Sequence, residues 1–184
     1  VLYPKSVMRW EWDENGDDRV SRLWYTRGEL SDSREVVYTK WFQGRATYFS
    51  REVFTLLLAY FETAKQQDLL ANRDAKSILE ILEMDSPLSP KLIKEMVELQ
   101  GRDYESQYNR ALKSLWNPLL VVGFGEIEDS SFPSLAIGAT KTLYEDLWSE
   151  ATEIESSQAA KKLEKILGKE NLFWKFAQKV KSSL

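Results

Sequence analysis

Cysteine and histidine are both absent from the 184 residues, and these two absences remove more chemistry than any motif supplies. Without Cys no disulfide can form, so a reducing compartment is expected, and with it a cytoplasmic location. The usual zinc ligand sets are excluded, as are cysteine nucleophiles and Ser-His-Asp triads. Acid–base chemistry would fall to Asp, Glu, Lys or Tyr. No apolar run approaches the roughly 20 residues that a bilayer span needs, and no signal-peptide pattern is read, so no membrane partner is expected. Basic residues are outnumbered: 25 Lys and Arg stand against 29 Asp and Glu, a net charge of −4. An acidic balance disfavours DNA, whose binding rests mainly on neutralised phosphates, unless charge is unevenly distributed. No glycine-rich phosphate loop occurs. The carboxylates of "WEWDENGDD" (Glu11, Asp13, Glu14, Asp17, Asp18) lack the spacing of a calcium loop. No catalytic residue, metal ligand or cofactor is therefore assigned.

What is present is enough apolar surface for a core: 43% of residues are hydrophobic and 12% aromatic, a composition that argues against disorder. "DRVSRLWYTRGEL" reads as a helix with Val20, Leu23 and Trp24 inward, ending near Gly28, with Trp10, Trp12 and Trp24 packed beneath it. In "EVVYTKWFQGRATYFS" two strand-like runs flank Gln43-Gly44, a hairpin signal. Ser50 stands where an N-cap belongs, and the helix after it directs Val53, Phe54, Leu57, Leu58 and Phe61 to one face. "KQQDLLANRDA" is a polar joint.

Beyond the joint come three helical patterns. The first places Ile78, Leu79 and Leu82 inward. The second starts at Ser89-Pro90, with Leu92, Ile93, Met96 and Val97 inward. The third, residues 104–115, turns Tyr104, Tyr108, Ala111, Leu112 and Leu115 inward. Pro118 stops it, "LLVVGFG" reads as a strand, "EIEDSSFP" as a loop and "SLAIGA" as the returning strand. Three helices followed by strand, loop and strand is the winged helix-turn-helix order. The expected fold is thus α+β and mainly helical. An N-terminal helix–β-hairpin–helix layer (1–70) precedes a winged-helix module (71–142), and C-terminal helices (143–184) pack on the rest.

On the third helix Ser106, Asn109, Arg110 and Lys113 recur at i, i+3, i+4 and i+7, opposite the apolar side. With Arg102 just before them, they are the DNA-contacting candidates, since these residue types reach base edges and phosphates. The plainer alternative is an ordinary solvated helix face. Residues 91–113 hold five basic and four acidic residues, a balance of +1. The wing loop offers Glu126, Glu128 and Asp129 and no cation. Residues 161–184 hold seven Lys and two Glu, a balance of +5. Their Leu172, Phe173, Phe176 and Val180 are expected to dock on the domain while the lysines face water. The hairpin aromatics Tyr38, Trp41, Phe42, Tyr48 and Phe49, interleaved with Lys40 and Arg45, could stack unpaired bases or form core.

The succession "VVYTKWFQGRATYFSREVFTLLLAYF", "ILEILEMDSPLSPKLIKEMVEL" and "YNRALKSLWNPLLVVGFGE" resembles AlkZ-related bacterial proteins. These are distant relatives of the AlkZ/YcaQ-type DNA glycosylases, which are built from winged-helix units. The resemblance covers most of residues 8–150 and rests on the aromatic hairpin, "FSREVF" and "ALKSLWNPLLVV". It implies DNA-repair ancestry. Activity does not carry over: the family's motif is Gln, an apolar residue, then Gln or Asp, and Gln66-Gln67-Asp68 matches it only in letters, its middle residue being polar. The reading is a non-enzymatic winged-helix protein that contacts DNA. The alternatives are a scaffold for another protein and a glycosylase acting on alkylated bases. Oligomeric state is left open.

Overall fold

The computed structural model describes residues 33–127 and 134–184, with Arg22, Tyr25, Thr26, Glu29 and Leu30 ahead of them in helical conformation. Most of the expected N-terminal helix, including Val20, Leu23 and Trp24, lies outside the described residues. So do Trp10, Trp12, the "DENGDD" turn and the wing residues Glu128 and Asp129.

The β-branched and aromatic runs around Gln43-Gly44 form a hairpin of β1 (Val36–Lys40) and β2 (Ala46–Ser50). They pair antiparallel from Val36↔Ser50 to Lys40↔Ala46. The connection is longer than two residues. A short 3-10 turn, Phe42–Gly44, fills it, with Gln43 and Gly44 both at positive φ (55° and 72°). Glycine takes that conformation at no steric cost. Ser50 then caps α1 (Arg51–Phe61) by accepting from the Val53 N–H.

The expected polar joint is half helical. Thr63–Asp68 form α2, and the connection narrows to Leu69–Asn72. Asn72 caps α3 (Arg73–Met84), whose Ala75, Ile78, Leu79 and Leu82 are buried. Ser89 caps α4 (Pro90–Met96), with Pro90 at the first helical position. Gly101, at φ 92°, redirects the chain into a 3-10 turn (Arg102–Tyr104) and then α5 (Glu105–Trp116). Strands β3 (Val121–Ile127) and β4 (Ser134–Ala139) return antiparallel, with Val121 opposite Ala139 and Ile127 opposite Ser134. The chain closes with α6 (Thr140–Leu143), α7 (Glu145–Thr152), α8 (Ser156–Leu167) and α9 (Leu172–Lys181). The result is a mainly helical α+β fold with a four-stranded antiparallel sheet in the order β2-β1-β3-β4. Among the described residues no helix is long and apolar enough to cross a membrane.

Apolar residues gather into two cores. One joins the hairpin to α1, α7, α8 and α9, and contains Trp41, Phe54, Phe61, Tyr144 and Trp174. The other joins α3, α4 and α5 to β3 and β4, and contains Ile78, Leu82, Ile93, Leu115 and Val121. Between α5 and β3 the chain passes from one to the other residue by residue. Leu119 and Val122 belong to the aromatic core, Leu120 and Val121 to the second.

The turn at this seam is tied down by side chains from three other places. Trp41 Nε1 donates to the Asn117 carbonyl at 3.1 Å, Thr63 Oγ1 to Pro118 at 2.8 Å, and Thr140 Oγ1 to Leu119 at 2.6 Å. The buried carbonyls of Pro118 and Leu119 would otherwise lack partners, a cost of about 1–3 kcal/mol each. The two hairpins meet at Tyr38↔Gly123. There a Cβ on the glycine would lie 2.5 Å from the Tyr38 ring.

Candidate nucleic-acid interface

Helix α5 buries Tyr108, Ala111, Leu112, Leu115 and Trp116 against the second core. The opposite side, with Ser106, Asn109, Arg110 and Lys113, is exposed, and so is Arg102 in the preceding turn. All five candidates therefore sit on one helix face and its lead-in. Among the described residues none of Arg102, Arg110 and Lys113 has an ion-pair partner, so their charge faces water.

The flanks of the helix are anchored instead. On one side Lys94 of α4 pairs with Glu105 at 2.6 Å. On the other, Gln107 Nε2 donates to Asp74 of α3 at 2.8 Å. The first tie offsets the charge of the carboxylate in the first turn of α5, and Lys94 also stands 4.8 Å over the Tyr108 ring. Burial, followed by the Glu105 charge, pushes the Tyr108 hydroxyl up from its ordinary pKa. That buried hydroxyl has no hydrogen-bond partner among the described residues.

Two expectations about neighbouring surface fail. Of the four apolar residues expected to face inward on α4, Ile93 is buried, while Leu92 and Met96 are 40% and 47% exposed. Tyr104, expected on the inner face of α5, is 46% exposed, because the chain there is a 3-10 turn that has not yet reached the helix. The lysine-rich tail packs on the aromatic core, whereas α5 packs on the other. Its helix α9 buries Trp174, Ala177 and Val180 in the aromatic core, while Leu172 points outward and is 70% exposed. Three of its lysines are paired, Lys169 with Glu164, Lys175 with Glu170 and Lys181 with Glu62.

Gln66-Gln67-Asp68 closes α2. Gln67 Nε2 donates to Glu83 at 2.8 Å, Gln66 Nε2 reaches the Phe61 carbonyl at 3.5 Å, and Asp68 is exposed. Glu83 in turn lies 3.9 Å from Lys141, on a cleft of about 540 Å³ floored by Trp148. Sequence reasoning did not find this cluster, since α2, α3, α6 and α7 contribute one residue each and no spacing links them. Among the described residues no group of three or more acidic side chains is placed to share a metal ion.

By its fold the protein is a mainly helical α+β chain with a small antiparallel sheet, presenting a polar helix just before a hairpin. A family model described as AlkZ related matches residues 5–173. The chain belongs to the AlkZ-related family, as the aromatic hairpin and the helix-to-strand junction led us to expect, and this supports a DNA-glycosylase-like relationship. No curated protein and no solved structure gives a significant match.

Proposed function

We propose that the protein is a non-enzymatic winged-helix member of the DNA-glycosylase-like superfamily that holds duplex DNA in the cytoplasm of a bacterial cell. In this reading residues 71–142 are the winged-helix module, with 1–70 and 143–184 packed around it. The observation that carries the reading is the exposed face of α5, whose three cations have no ion-pair partner among the described residues, followed directly by the β3–β4 hairpin. Arg102, Arg110 and Lys113 would meet phosphates, and Ser106 and Asn109 would lie toward base edges. The carboxylates Glu126, Glu128 and Asp129 would be repelled by phosphates, which speaks against the ordinary docking of a wing along DNA. Base excision is not part of the proposal, because the middle residue of Gln66-Gln67-Asp68 is polar where the family's motif has an apolar one.

Fluorescence anisotropy with a labelled duplex across a salt series tests this. Three phosphate contacts give a slope of log K against log salt of about −3. Replacing Arg110 and Lys113 by Ala flattens that slope by about two. Absence of binding at low salt ends the proposal. Release of a base from alkylated DNA, lost on changing Gln66 or Asp68, would replace it with a glycosylase.

A second reading, a scaffold for another protein, is favoured by the exposed Leu92, Met96 and Tyr104 beside α5. A photoreactive residue at position 96 would then capture one partner from native extract, and Leu92→Asp would release it.

A further inference from the structure

Helix α5 has α3 on one flank and α4 on the other, and the two flanks differ. Gln107 Nε2 donates to Asp74 at 2.8 Å, which sets the first turn of α3 against the first turn of α5. On the α4 side Lys94 is engaged by Glu105 at 2.6 Å. What α4 and the turn after it then expose is one cation, Lys91, two carboxylates, Glu95 and Glu98, and the apolar Leu92 and Met96.

On α3 the buried stripe is Ala75, Ile78, Leu79 and Leu82. Successive helical residues turn by roughly 100°. Asp74 therefore lies on the flank toward α5, and Arg73, one step back, stands opposite the stripe. Arg110 stands in the same way on α5, opposite Tyr108, Ala111, Leu112 and Leu115. Arg73 is exposed and, among the described residues, outside any ion pair. Lys76 is exposed too, but it lies on the flank away from α5, with Glu80 one turn further on. The surface that spans the starts of both helices and the outer side of α5 holds Arg73, Arg102, Arg110 and Lys113 against Asp74 and Asp103. Four cations and two carboxylates leave a balance of +2, while Lys94 and Glu105 cancel.

We infer that duplex DNA crosses the exposed sides of α3 and α5 together, with Arg73 meeting a fourth phosphate. This placement rests on α5 being the duplex-binding face, and it adds the direction in which the duplex leaves that face, toward α3 and away from α4. Arg73 is a positioning contact: a phosphate contact fixes where the protein sits on the duplex and carries no sequence information.

Anisotropy of a labelled duplex of about 20 base pairs across a salt series tests this, because each phosphate contact adds about 0.9 to the slope of log K against log salt. Arg73→Ala flattens the slope of the unaltered protein by about 0.9, and Arg73→Lys, which keeps the charge, restores it. Added to Arg110→Ala and Lys113→Ala, Arg73→Ala flattens the slope by a further step of the same size. Lys91→Ala on α4 leaves it unchanged. Thermal melts check that each variant folds, and Arg73→Lys separates loss of charge from loss of structure. An unchanged slope in Arg73→Ala, where Arg110→Ala with Lys113→Ala flattens it, overturns this inference and leaves the α5 face standing. Flattening by Lys91→Ala in place of Arg73→Ala puts the duplex on the α4 side and overturns it as well. No binding by the unaltered protein at low salt overturns both.

Discussion

The core closed by α1, α7, α8 and α9 is aromatic and assembled from distant segments, running from Val37 to Val180. The core of α3, α4, α5 and the β3–β4 hairpin is mostly aliphatic and lies within Ala75 to Ala139. The second can close from neighbours in sequence. The first needs the last helix to return to the first hairpin, as Phe42 and Trp41 do in meeting Phe173 and Phe176. Large rings suit that task, because each buries much area when it finally docks. The difference is one of sequence distance: the second core draws on one continuous segment and the first on both ends of the chain, and the two share β3 and the 117–119 turn.

The comparison is broken most strongly inside the cores. Trp174→Ala should cost about 3–5 kcal/mol, and Leu82→Ala about 2–5. Because the cores share a seam, both should shift one cooperative transition in urea, followed by near- and far-UV circular dichroism. Two separate transitions would mean that the cores are independent. Next comes the meeting point of the hairpins. Gly123→Ala drives a methyl into the buried Tyr38 ring, which is backed by Tyr48. It should cost about 1–3 kcal/mol, read as a lowered urea midpoint. Thr140→Val then leaves the Leu119 carbonyl without its donor. A loss of about 1–2 kcal/mol is expected, with hydrogen exchange rising in both cores.

The smallest effect is electrostatic. Glu62, at the α1–α2 bend, accepts from Lys181 at 2.8 Å and Lys65 at 2.5 Å. These bonds, Lys181 first, hold its pKa down at about 2. The carboxylate remains partly exposed, so Glu62→Gln should cost under about 1 kcal/mol. Its folded pKa is lowered, so the contribution is present above the unfolded value of about 4.3 and is lost as pH falls through about 2. Thermal melts of the two proteins should differ at pH 7 and converge near pH 2.

How far sequence reasoning reached follows the same division. The caps at Ser50 and Ser89, the hairpin around Gln43-Gly44 and the pairing of β3 with β4 all follow from local chemistry. The α5 face followed too, since its exposed residues are the complement of a 3.6-residue apolar stripe. Leu92, Met96 and Tyr104 were misread because periodicity tells which apolar residues share a side, and not whether anything covers that side. On α9 Phe173, Phe176 and Val180 dock as expected, while Leu172 does not, for a related reason. Trp174 is buried and Leu172 is not, a choice made by the hairpin surface on which the helix lands.

Taken alone, the order of residues determined what each short stretch becomes and excluded disulfides, thiol nucleophiles and histidine chemistry, because those matters depend on neighbours a few positions apart or on composition. Tertiary structure alone decided the seam at Asn117, Pro118 and Leu119 and the cluster of Gln67, Glu83 and Lys141. Each of these joins residues separated by long loops of chain. Which of many possible distant contacts forms is settled by the closing of the whole core, and no local pattern carries that information.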